Sequence, residues 1–452
     1  MRQGVNRREF SAVSAAAAIE LSQGRPAGAN ERVGVAFIGL GNRGCQLLRA
    51  FLAQPDCQVV ALCDVYEPYL SGDFDRIDPG FKRLGSRIPK MPEVPKGVAR
   101  VKDFRGVLER PDVDAVVIAT PDHWHAIQMI AACKAGKDVY VEKPLSATIV
   151  EGRAMVKAAR AHDRIVQVGT QRRSSRLYAQ LAEAIHGGAI GKVTVARAAF
   201  ASNMTPTGIG HASPSAPPPG LDWDMWLGPR PDRPFQATLM PYLFRWHQLY
   251  SSQIANWGVH YFDVIRWLTS ELAPSSVSTH GGRFALDDDR TIPDTSETIF
   301  EHDSKMLTLF SVYEANGQPV LSRGAEIELR GTLGTAYAGV AYSADNHYEI
   351  VPERGGAFQD PKPKRKPETV KTTERDLDRQ AARDFLDSVK KRSRPRADIE
   401  EGHRSTTFAH LANLALATKK RLDWDAQAER FTNCPEANDL LHYEYRKPWS
   451  LG

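Results

Sequence analysis

The sequence lacks long hydrophobic runs. Of its 452 residues, 42% are hydrophobic, but no apolar stretch approaches the roughly 20 residues that a helix needs to cross a bilayer. We therefore expect no membrane partner. The sequence also lacks a basic stripe interleaved with aromatic residues, since the formal net charge of +5 is spread over the whole chain. For this reason nucleic acid is not an expected partner either.

Cysteine is scarce. The five cysteines form an odd set without C-x-x-C spacing, at Cys45, Cys57, Cys63, Cys133 and Cys434. This distribution predicts neither a disulfide scaffold nor a zinc site.

The first thirty residues differ in character from the rest of the chain. A twin arginine at residues 7–8 precedes small and apolar residues at 11–19, and residues 27–29 have the small-x-small form of a cleavage site. This pattern predicts a twin-arginine signal peptide over residues 1–29, with export of the folded protein to the periplasm or another exported location. A disordered N-terminal extension is the alternative, because Glu20 lies in a weakly hydrophobic segment.

A glycine-rich turn follows the first predicted strand. Gly39, Gly41 and Gly44 have the spacing G-x-G-x-x-G between a short apolar run and a helical pattern. In this context the glycines allow a tight turn, close approach of the backbone to a pyrophosphate, and close packing of the helix on the strand. The start of the helix, with Asn42 and Arg43, would face the phosphates with unpaired N–H groups.

An acidic residue ends the second predicted strand. Asp64 follows the apolar residues 59–63, at about the twenty-residue distance from the glycines that dinucleotide-binding folds use. A carboxylate there accepts hydrogen bonds from the adenosine ribose and repels a 2′-phosphate, so we expect NAD rather than NADP. A helix cap or turn residue is the alternative interpretation of Asp64.

Two further predicted strands, at residues 115–119 and 138–141, also end in polar segments. Loops at the carboxyl ends of strands are where such folds bind ligands. The polar segments contain Thr120, Pro121, His123, His125, Glu142 and Lys143. We expect no metal at His123 and His125, because no third ligand has a suitable spacing.

The order of these motifs resembles the glucose-fructose oxidoreductase/inositol dehydrogenase (Gfo/Idh/MocA) family, and the N-terminal pattern is similar to its exported twin-arginine branch. The shared motifs are G-x-G-x-x-G, the strand-end aspartate, Thr-Pro-x-x-x-His and Gly-Lys-x-Val-x-x-Glu-Lys-Pro. Family-like phrases continue at residues 168–173, 222–229, 256–263 and 446–449, so the resemblance runs from about residue 30 to the C-terminus.

The resemblance implies an α/β protein with two domains. Residues 30–150 would form a Rossmann dinucleotide-binding domain, and residues 151–452 a C-terminal α+β domain with a large, open, mostly antiparallel sheet. One face of that sheet would carry the substrate, a carbohydrate or polyol, and the other often forms a subunit interface. We therefore expect a homo-oligomer, either a dimer or a tetramer. The residues expected to bind the cofactor are Gly39, Gly41, Asn42, Arg43, Gly44, Asp64, Thr120, Pro121, His125, Glu142 and Lys143.

Lys143 has a chemical role that does not depend on the resemblance. An ammonium group beside a nicotinamide hydrogen-bonds the reacting hydroxyl and stabilises the alkoxide that develops as hydride leaves. Glu142 would orient the lysine or the nicotinamide ribose. The alternative for this segment is an exposed strand end that closes in a turn at Pro144.

His260 is the expected proton acceptor, since imidazole can take the hydroxyl proton near neutral pH. In a helix Asn256, His260 and Asp263 share one face, so Asp263 would orient the ring or bind substrate. A core histidine satisfied by Asp263 is the competing interpretation. Many relatives have Asp-x-Gly-x-His where this chain has Asn256-Trp257-Gly258-Val259-His260. The amide can bind a hydroxyl but cannot share charge with imidazole.

Several other side chains lie near segments that face the substrate in relatives, or could stack on sugar rings. Core packing is the alternative for each aromatic residue. The expected substrate-binding residues are Gln171, Arg173, Arg245, Trp257 and Tyr261, and Trp246 and His247 could also stack on a sugar.

Patterning in the second half of the chain predicts further elements. Residues 295–312 and 325–342 alternate as strands do, and residues 379–392 and 401–421 have helical periodicity.

Three functions are compatible with these residues. The first is hydride transfer between a secondary alcohol of a sugar, polyol or glycoside and bound NAD(P). The second is redox-neutral glycoside cleavage or epimerisation through transient oxidation by bound NAD, which export favours because free NAD is lacking outside the cytoplasm. The third is a non-catalytic, dinucleotide-holding sensor, which would have no use for Lys143 and His260.

Overall fold

A computed structural model describes residues 32–339, 346–354 and 366–451. The predicted signal peptide at residues 1–29 lies outside the described residues. In the described part of the chain, no helix combines the length and the apolar character that crossing a membrane requires.

The first domain is built on a six-stranded parallel sheet with the order β3-β2-β1-β4-β5-β6. Its strands are β1 Val33–Ile38, β2 Cys57–Cys63, β3 Ala99–Val101, β4 Ala115–Ile118, β5 Asp138–Val141 and β6 Val166–Val168. Every residue of β1, β4 and β5 is buried, as expected of a sheet that helices cover on both faces. The sheet includes β6, which lies beyond the expected domain boundary at residue 150.

The strand order reverses at β1, which pairs with β2 on one side and β4 on the other. The loops that follow β1 and β4 therefore diverge and leave a crevice at the carboxyl ends of the strands. In doubly wound sheets this is where ligands bind.

The helices connect and cover the two sheets. They are α1 Asn42–Leu52, α2 Glu67–Ser71, α3 Pro79–Lys82, α4 Phe104–Leu108, α5 Asp122–Lys134, α6 Ile149–Ala161, α7 Arg176–His186, α8 Trp223–Leu227, α9 Val259–Thr269, α10 Leu377–Lys391, α11 Ile399–Thr418 and α12 Pro435–Asn438. A π-helical turn, Ile254–Gly258, leads directly into α9. Short 3₁₀ turns form at Gly85–Arg87, Gln171–Ser174, Leu243–Trp246 and Ser322–Gly324. The helices predicted at residues 379–392 and 401–421 are confirmed as α10 and α11.

The second domain contains a ten-stranded sheet with the order β14-β13-β12-β11-β7-β10-β9-β8-β15-β16. Only the β7–β10 pair is parallel among these described strands, so the expected mostly antiparallel sheet is confirmed. The strands are β7 Val193–Ala201, β8 Ser276–Gly282, β9 Thr295–Glu301, β10 Leu307–Tyr313, β11 Ile327–Gly331, β12 Gly334–Ala338, β13 His347–Pro352, β14 Glu368–Lys371, β15 Leu422–Asp425 and β16 Arg430–Phe431.

The two faces of this sheet differ in burial. On one face Phe300 and Phe310 are buried against Phe262 of α9 and Phe408 of α11. The alternate residues point the other way, and Ile299 and Leu307 there are 42% and 39% exposed. The sheet therefore has a helix-covered face and an open face.

The five cysteines are free thiols. Four of them are buried, and Cys57 is partly exposed. Burial raises the pKa of Cys45, Cys57 and Cys133 to about 12, and that of Cys63 further still. Thiols with such pKa values remain protonated at neutral pH.

Candidate active site

A cleft of about 370 Å³ opens where the strands of the first sheet end. The first domain lines it with residues that directly follow its strands, and the second domain closes the other side. The first-domain residues include Gly39, Gly41, Asn42, Arg43, Asp64, Lys102, Thr120, Pro121, Asp122, Glu142, Lys143 and Gln171. The second-domain residues include Trp226, Met240, Tyr242, Arg245, Asn256, Trp257 and His260.

The glycine turn has the geometry that the motif predicts. Gly39 has a φ of +93°, and a Cβ atom at Gly44 would lie 2.0 Å from the carbonyl oxygen of Gly39. Gly44 thus permits contact between helix and turn, and it packs behind the cleft rather than lining it. At Gly41 an added Cβ would meet no atom within 4 Å, because this residue faces the open cleft.

The start of α1 presents hydrogen-bond donors to the cleft. Gly41 is the residue before the first helical turn, and among the described side chains none caps this end. The N–H groups of the first turn are therefore available to a ligand, and the helix dipole favours an anion there.

Asp64 lies directly after β2 and is held by the backbone. Its Oδ2 accepts a hydrogen bond from the N–H of Leu40 at 2.7 Å, and its Oδ1 accepts one from the N–H of Tyr66 at 2.9 Å. Burial raises the pKa of Asp64 to about 6, although these backbone bonds oppose the shift. Each carboxylate oxygen keeps a lone pair with which to accept a ribose hydroxyl.

Arg43 joins the two domains at the edge of the cleft. Its Nε donates to Glu142 at 2.8 Å, and its Nη1 and Nη2 donate to Asp378 of α10 at 2.7 and 2.9 Å. Glu142 is therefore oriented by Arg43, and its other oxygen lies 3.3 Å from the backbone nitrogen of Lys143.

Lys143 is held by one residue of the second domain. Its Nζ donates to the backbone oxygen of Asn256 at 2.6 Å and to the Oδ1 atom of the same residue at 2.9 Å. Burial lowers the pKa of Lys143 to about 8, and the charges of Arg245 and Arg43 act in the same direction. The side chain of Asn256, which the sequence placed near His260, thus binds the lysine.

His260 lines the same cleft, and its ring lies close enough to Lys143 to be affected by the lysine's positive charge. Burial lowers the pKa of His260 well below its usual value, and the positive charges of Lys143, Arg172 and Arg43 lower it further. Its buried Nδ1 has no hydrogen-bond partner among the described residues. At neutral pH the ring is therefore uncharged and can accept a proton.

The predicted role of Asp263 is wrong. Its carboxylate accepts two hydrogen bonds from Arg173 Nε, at 2.9 and 2.8 Å, and one from Ser405 at 2.9 Å. Asp263 is fully buried on the inner side of α9, so it neither orients His260 nor satisfies it as a core histidine. The physical reason is that a buried guanidinium is the stronger partner for a buried carboxylate.

The other predicted substrate residues divide into two groups. Gln171, Arg245 and Trp257 line the cleft. Arg173 and Tyr261 do not, and their prediction as substrate-facing residues is corrected. Arg173 is bound to Asp263 and Glu401, whereas the buried ring of Tyr261 lies 4.9 Å from the guanidinium of Arg172.

The aromatic ring of Trp257 stacks on Phe200, with centroids 4.5 Å apart, and lies 6.3 Å from the ring of His260. Trp246 and His247 are buried and hydrogen-bond inside the second domain, to Glu314 and to the carbonyl of Thr238. Of these three rings only Trp257 lines the cleft.

His125 lies behind the wall of the cleft, where the resemblance had implied a cofactor contact. It is buried, with its Nδ1 2.9 Å from the oxygen of Pro144 and its Nε2 2.9 Å from the oxygen of Thr120. It thereby connects the loop that contains Thr120 with the loop that contains Pro144, on the side away from the cleft. His123 is also buried, with Nε2 2.9 Å from the carbonyl oxygen of Trp226.

Sequence reasoning missed Asp122. This residue begins α5, lines the cleft and accepts a hydrogen bond from Ser251. Burial raises its pKa, and its charge acts on Lys143. Its position directly after the Thr120-Pro121 step at a strand end was the available signal.

The residues present fit a dinucleotide. The open face of Gly41 and the uncapped helix start suit a pyrophosphate, and Asp64 suits a ribose diol. Lys143 and Glu142 follow β5, at the other end of the same cleft, where a nicotinamide would lie.

Comparison with known proteins agrees with this geometry. Residues 33–170 match the NAD-binding Rossmann fold of the Gfo/Idh/MocA oxidoreductase family. Residues 177–287 and 355–451 match the C-terminal alpha/beta domain of the same family.

Two curated relatives align with part of the chain. A "Glycosyl hydrolase family 109 protein" of Saccharopolyspora erythraea is 37% identical over 123 residues, which are 27% of this chain and 25% of the relative. A "Myo-inositol 2-dehydrogenase" of Thermotoga maritima is 33% identical over 166 residues, which are 37% of this chain and 44% of the relative. The alignments thus span from a quarter to less than half of these relatives.

Solved structures share the fold over most of the chain. A levoglucosan dehydrogenase in complex with NADH and levoglucosan superposes with a TM-score of 0.62 and 17% sequence identity, covering 87% of this chain and 99% of that one. Both domain matches and this shared fold lead to one conclusion: the chain belongs to the Gfo/Idh/MocA oxidoreductase family, and its first domain is the family's NAD-binding Rossmann domain.

Proposed function

We propose that the protein is an NAD-dependent oxidoreductase that transfers hydride between a secondary alcohol of a sugar, polyol or glycoside and a tightly bound nicotinamide cofactor. The observation that carries the proposal is the Lys143 ammonium, which Asn256 holds in the cleft beside His260. The names of a relative, "Myo-inositol 2-dehydrogenase", and of a structural neighbour, levoglucosan dehydrogenase, support a carbohydrate or polyol substrate.

Lys143 would bind the oxygen of the reacting alcohol. With a pKa of about 8, its amine is mostly protonated at pH 7, so it can donate a hydrogen bond to that oxygen and stabilise the developing negative charge. When bound, NAD supplies the hydride acceptor. The oxygens of Asn256 keep the ammonium directed by accepting two of its three hydrogens.

His260 would accept the hydroxyl proton. Its lowered pKa leaves the ring neutral at pH 7, which is the form that a proton acceptor requires. The positive charge of Lys143 both lowers the pKa of the ring and attracts the alkoxide. Lys143 would thus stabilise the developing negative charge, and His260 would remove the proton.

Redox-neutral glycoside cleavage or epimerisation is the second candidate. The name of one relative, "Glycosyl hydrolase family 109 protein", suggests this alternative. The same two side chains would serve it, because both reactions begin with removal of hydride and a proton from a carbinol. They differ in whether the nucleotide ends in its starting state.

One experiment separates these functions. The purified protein is stripped of any bound nucleotide, which is identified by mass spectrometry, and the reconstituted enzyme is screened with sugars, polyols and aryl glycosides. A lasting change in nicotinamide absorbance indicates net oxidation or reduction. Product formation with a return to the starting absorbance indicates the redox-neutral route.

The matched control is a second lysine-to-methionine change. Lys143→Met is expected to abolish turnover, whereas Lys157→Met alters an exposed residue of α6 and should leave it intact. If no carbohydrate is converted and none changes the nucleotide absorbance of the unaltered enzyme, the catalytic proposal fails and the non-catalytic, dinucleotide-holding sensor is the remaining candidate.

We also propose that the protein is exported by the twin-arginine route to the periplasm and forms a homo-oligomer through the open face of the second sheet. The residue pattern at 7–8 and 11–19 supports export, and Ile299 and Leu307 support the interface. Fractionation of cells that produce the unaltered chain and a form with both arginines changed to lysine tests the first. Light scattering of Leu307→Glu tests the second, because a monomer is expected.

A further inference from the structure

A chain of buried polar side chains leads from Lys143 into the second domain. Asn256 Nδ2 donates to Gln253 Oε1 at 3.1 Å, and Gln253 Nε2 donates to Glu314 Oε1 at 2.8 Å. Glu314 and Gln253 are 0% and 2% exposed, and Asn256 is 7% exposed. We name the four residues Lys143, Asn256, Gln253 and Glu314 the polar chain.

Glu314 is ionised, because each of its described hydrogen-bond partners is a donor. Arg290 Nη1 donates to it at 2.7 Å, and Trp246 Nε1 at 2.9 and 3.1 Å. Burial raises the pKa of Glu314, while Arg290, Trp246 and Gln253 oppose that shift. Arg290 also bonds Asp288 through Nε and Nη2. This buried group therefore has two negative charges and one positive charge.

The carboxylate determines which way each amide points. An amide has one donor end and one acceptor end. Gln253 must turn its NH₂ towards Glu314, since its oxygen would meet another acceptor there. Its oxygen then faces Asn256, which must in turn present its own NH₂. Only one orientation remains for Asn256, and it puts Oδ1 against the Lys143 ammonium.

We propose that Glu314 is a positioning residue for Lys143, acting through Gln253 and Asn256. In this chain Asn256 stands where many members of the family have aspartate. A carboxylate at position 256 would present an oxygen to the Lys143 ammonium in any orientation. Here the Glu314 carboxylate, through Gln253, fixes the orientation in which Asn256 presents its oxygen. Its expected effect on turnover rests on the proposed function, but its effect on Lys143 itself does not.

The first test measures Lys143 without any substrate. The purified protein, with whatever nucleotide it carries, is labelled with a trace of acetic anhydride across pH, and the acetylation of Lys143 is quantified by mass spectrometry. The charged groups that face Lys143 are Glu142, Asp122, Arg245 and Arg43, and the titratable ring of His260 also faces it; none of these groups is altered.

Glu314→Gln removes the charge, so Asn256 is no longer held with its oxygen towards Lys143, and the pKa of the amine falls. Labelling at pH 7 should rise about threefold, which corresponds to roughly half a pKa unit. Asp288→Asn removes the neighbouring buried charge but leaves the amide orientations intact, so labelling should stay close to that of the unaltered protein. Equal labelling in Glu314→Gln and the unaltered protein would overturn the proposal.

Gln253→Met provides an independent variant in case Glu314→Gln does not fold. It interrupts the polar chain without removing a buried charge, and it should raise Lys143 labelling in the same way. An unchanged profile in this variant also overturns the proposal.

The second test moves the charge. Asn256→Asp alone places a carboxylate against Gln253 Oε1, and Gln253 cannot turn over while Glu314 is ionised. In the double variant Asn256→Asp with Glu314→Gln, the Gln253 amide can turn over and donate its NH₂ to the new carboxylate at position 256. The losses in melting temperature of Asn256→Asp and Glu314→Gln should therefore not add, and the double variant should be more stable than their sum predicts.

The matched control is Asn256→Asp with Asp288→Asn, whose losses should add. Additive losses in both pairs would overturn the proposal. Because labelling and melting need no substrate, a failure to find carbohydrate turnover would count against the proposed function and not against the polar chain.

Discussion

Adding one methyl group at Gly44 should lower the stability of the fold, whereas the same change at Gly41 should weaken nucleotide binding and leave the stability nearly unchanged. The two glycines are three residues apart in the same turn, and Gly→Ala is the same chemical change at each. At Gly44 the new Cβ would lie 2.0 Å from the carbonyl oxygen of Gly39 and 2.9 Å from its carbon. At Gly41 it would have no atom within 4 Å.

The expected magnitudes follow from these distances. In Gly44→Ala the turn or the helix must shift, and such overpacking costs about 1–3 kcal/mol. In Gly41→Ala the backbone angles, φ −62° and ψ −174°, are allowed for alanine, so the change in stability should stay within about 0.5 kcal/mol. The methyl group would instead occupy the space that a pyrophosphate needs. Loss of one charge-assisted hydrogen bond to the helix start weakens NAD binding about 10- to 100-fold.

Two assays check the pair. Guanidinium unfolding followed by circular dichroism gives the loss of stability, and quenching of tryptophan fluorescence by NAD gives the dissociation constant after the nucleotide is stripped. Undiminished NAD affinity in Gly41→Ala would refute the argument that the dinucleotide approaches this turn. A stable Gly44→Ala variant would refute the packing argument.

Three further outcomes follow from the site. The kcat/KM for alcohol oxidation should fall above pH 8 as Lys143 loses its proton, and a kcat/KM that stays level above pH 8 would contradict the role of its ammonium form. The NAD affinity should fall below pH 6 as Asp64 is protonated, and Asp64→Ser should lose this pH dependence and bind NADP more tightly relative to NAD; an unaltered preference would contradict the ribose contact. Asp263→Asn should lower the free energy of unfolding by about 3 kcal/mol, because Arg173 loses its main buried partner. This variant should leave the pH–rate profile unchanged. A displaced profile would indicate that Asp263 acts on the catalytic groups after all.

The first domain could be predicted from the sequence because its signals are local. Each strand is an apolar run, and the residues that bind at its end follow it directly. Gly39, Asp64 and Lys143 are therefore recognisable one strand at a time. The parallel order of the sheet then brings all the strand ends to one edge.

The second domain could be predicted less well from the sequence, because its contacts join residues that are distant in sequence. Arg173 and Asp263 are 90 residues apart, and Gln253 and Glu314 are 61 residues apart. A helical pattern shows which residues share a side, but not which residue from elsewhere lies opposite. For this reason Asp263 was assigned to His260 when its partner is Arg173, and Glu314 gave no signal.

Trp246 illustrates the same limit for aromatic residues. Its ring has the chemistry to stack on a sugar, but in the fold its Nε1 donates to the buried carboxylate of Glu314. A lone indole in a sequence cannot be assigned to a core or a pocket. Trp257 differs only in its surroundings, and it does line the cleft.

The reactivity of the buried cysteines can be used to measure local opening of each domain. A thiol reagent reaches Cys45, Cys63 and Cys133 only when the first domain loosens, and Cys434 only when the second does. Mapping which position reacts first under mild denaturant would rank the two domains by how readily each one opens. No engineered probe is required for that measurement.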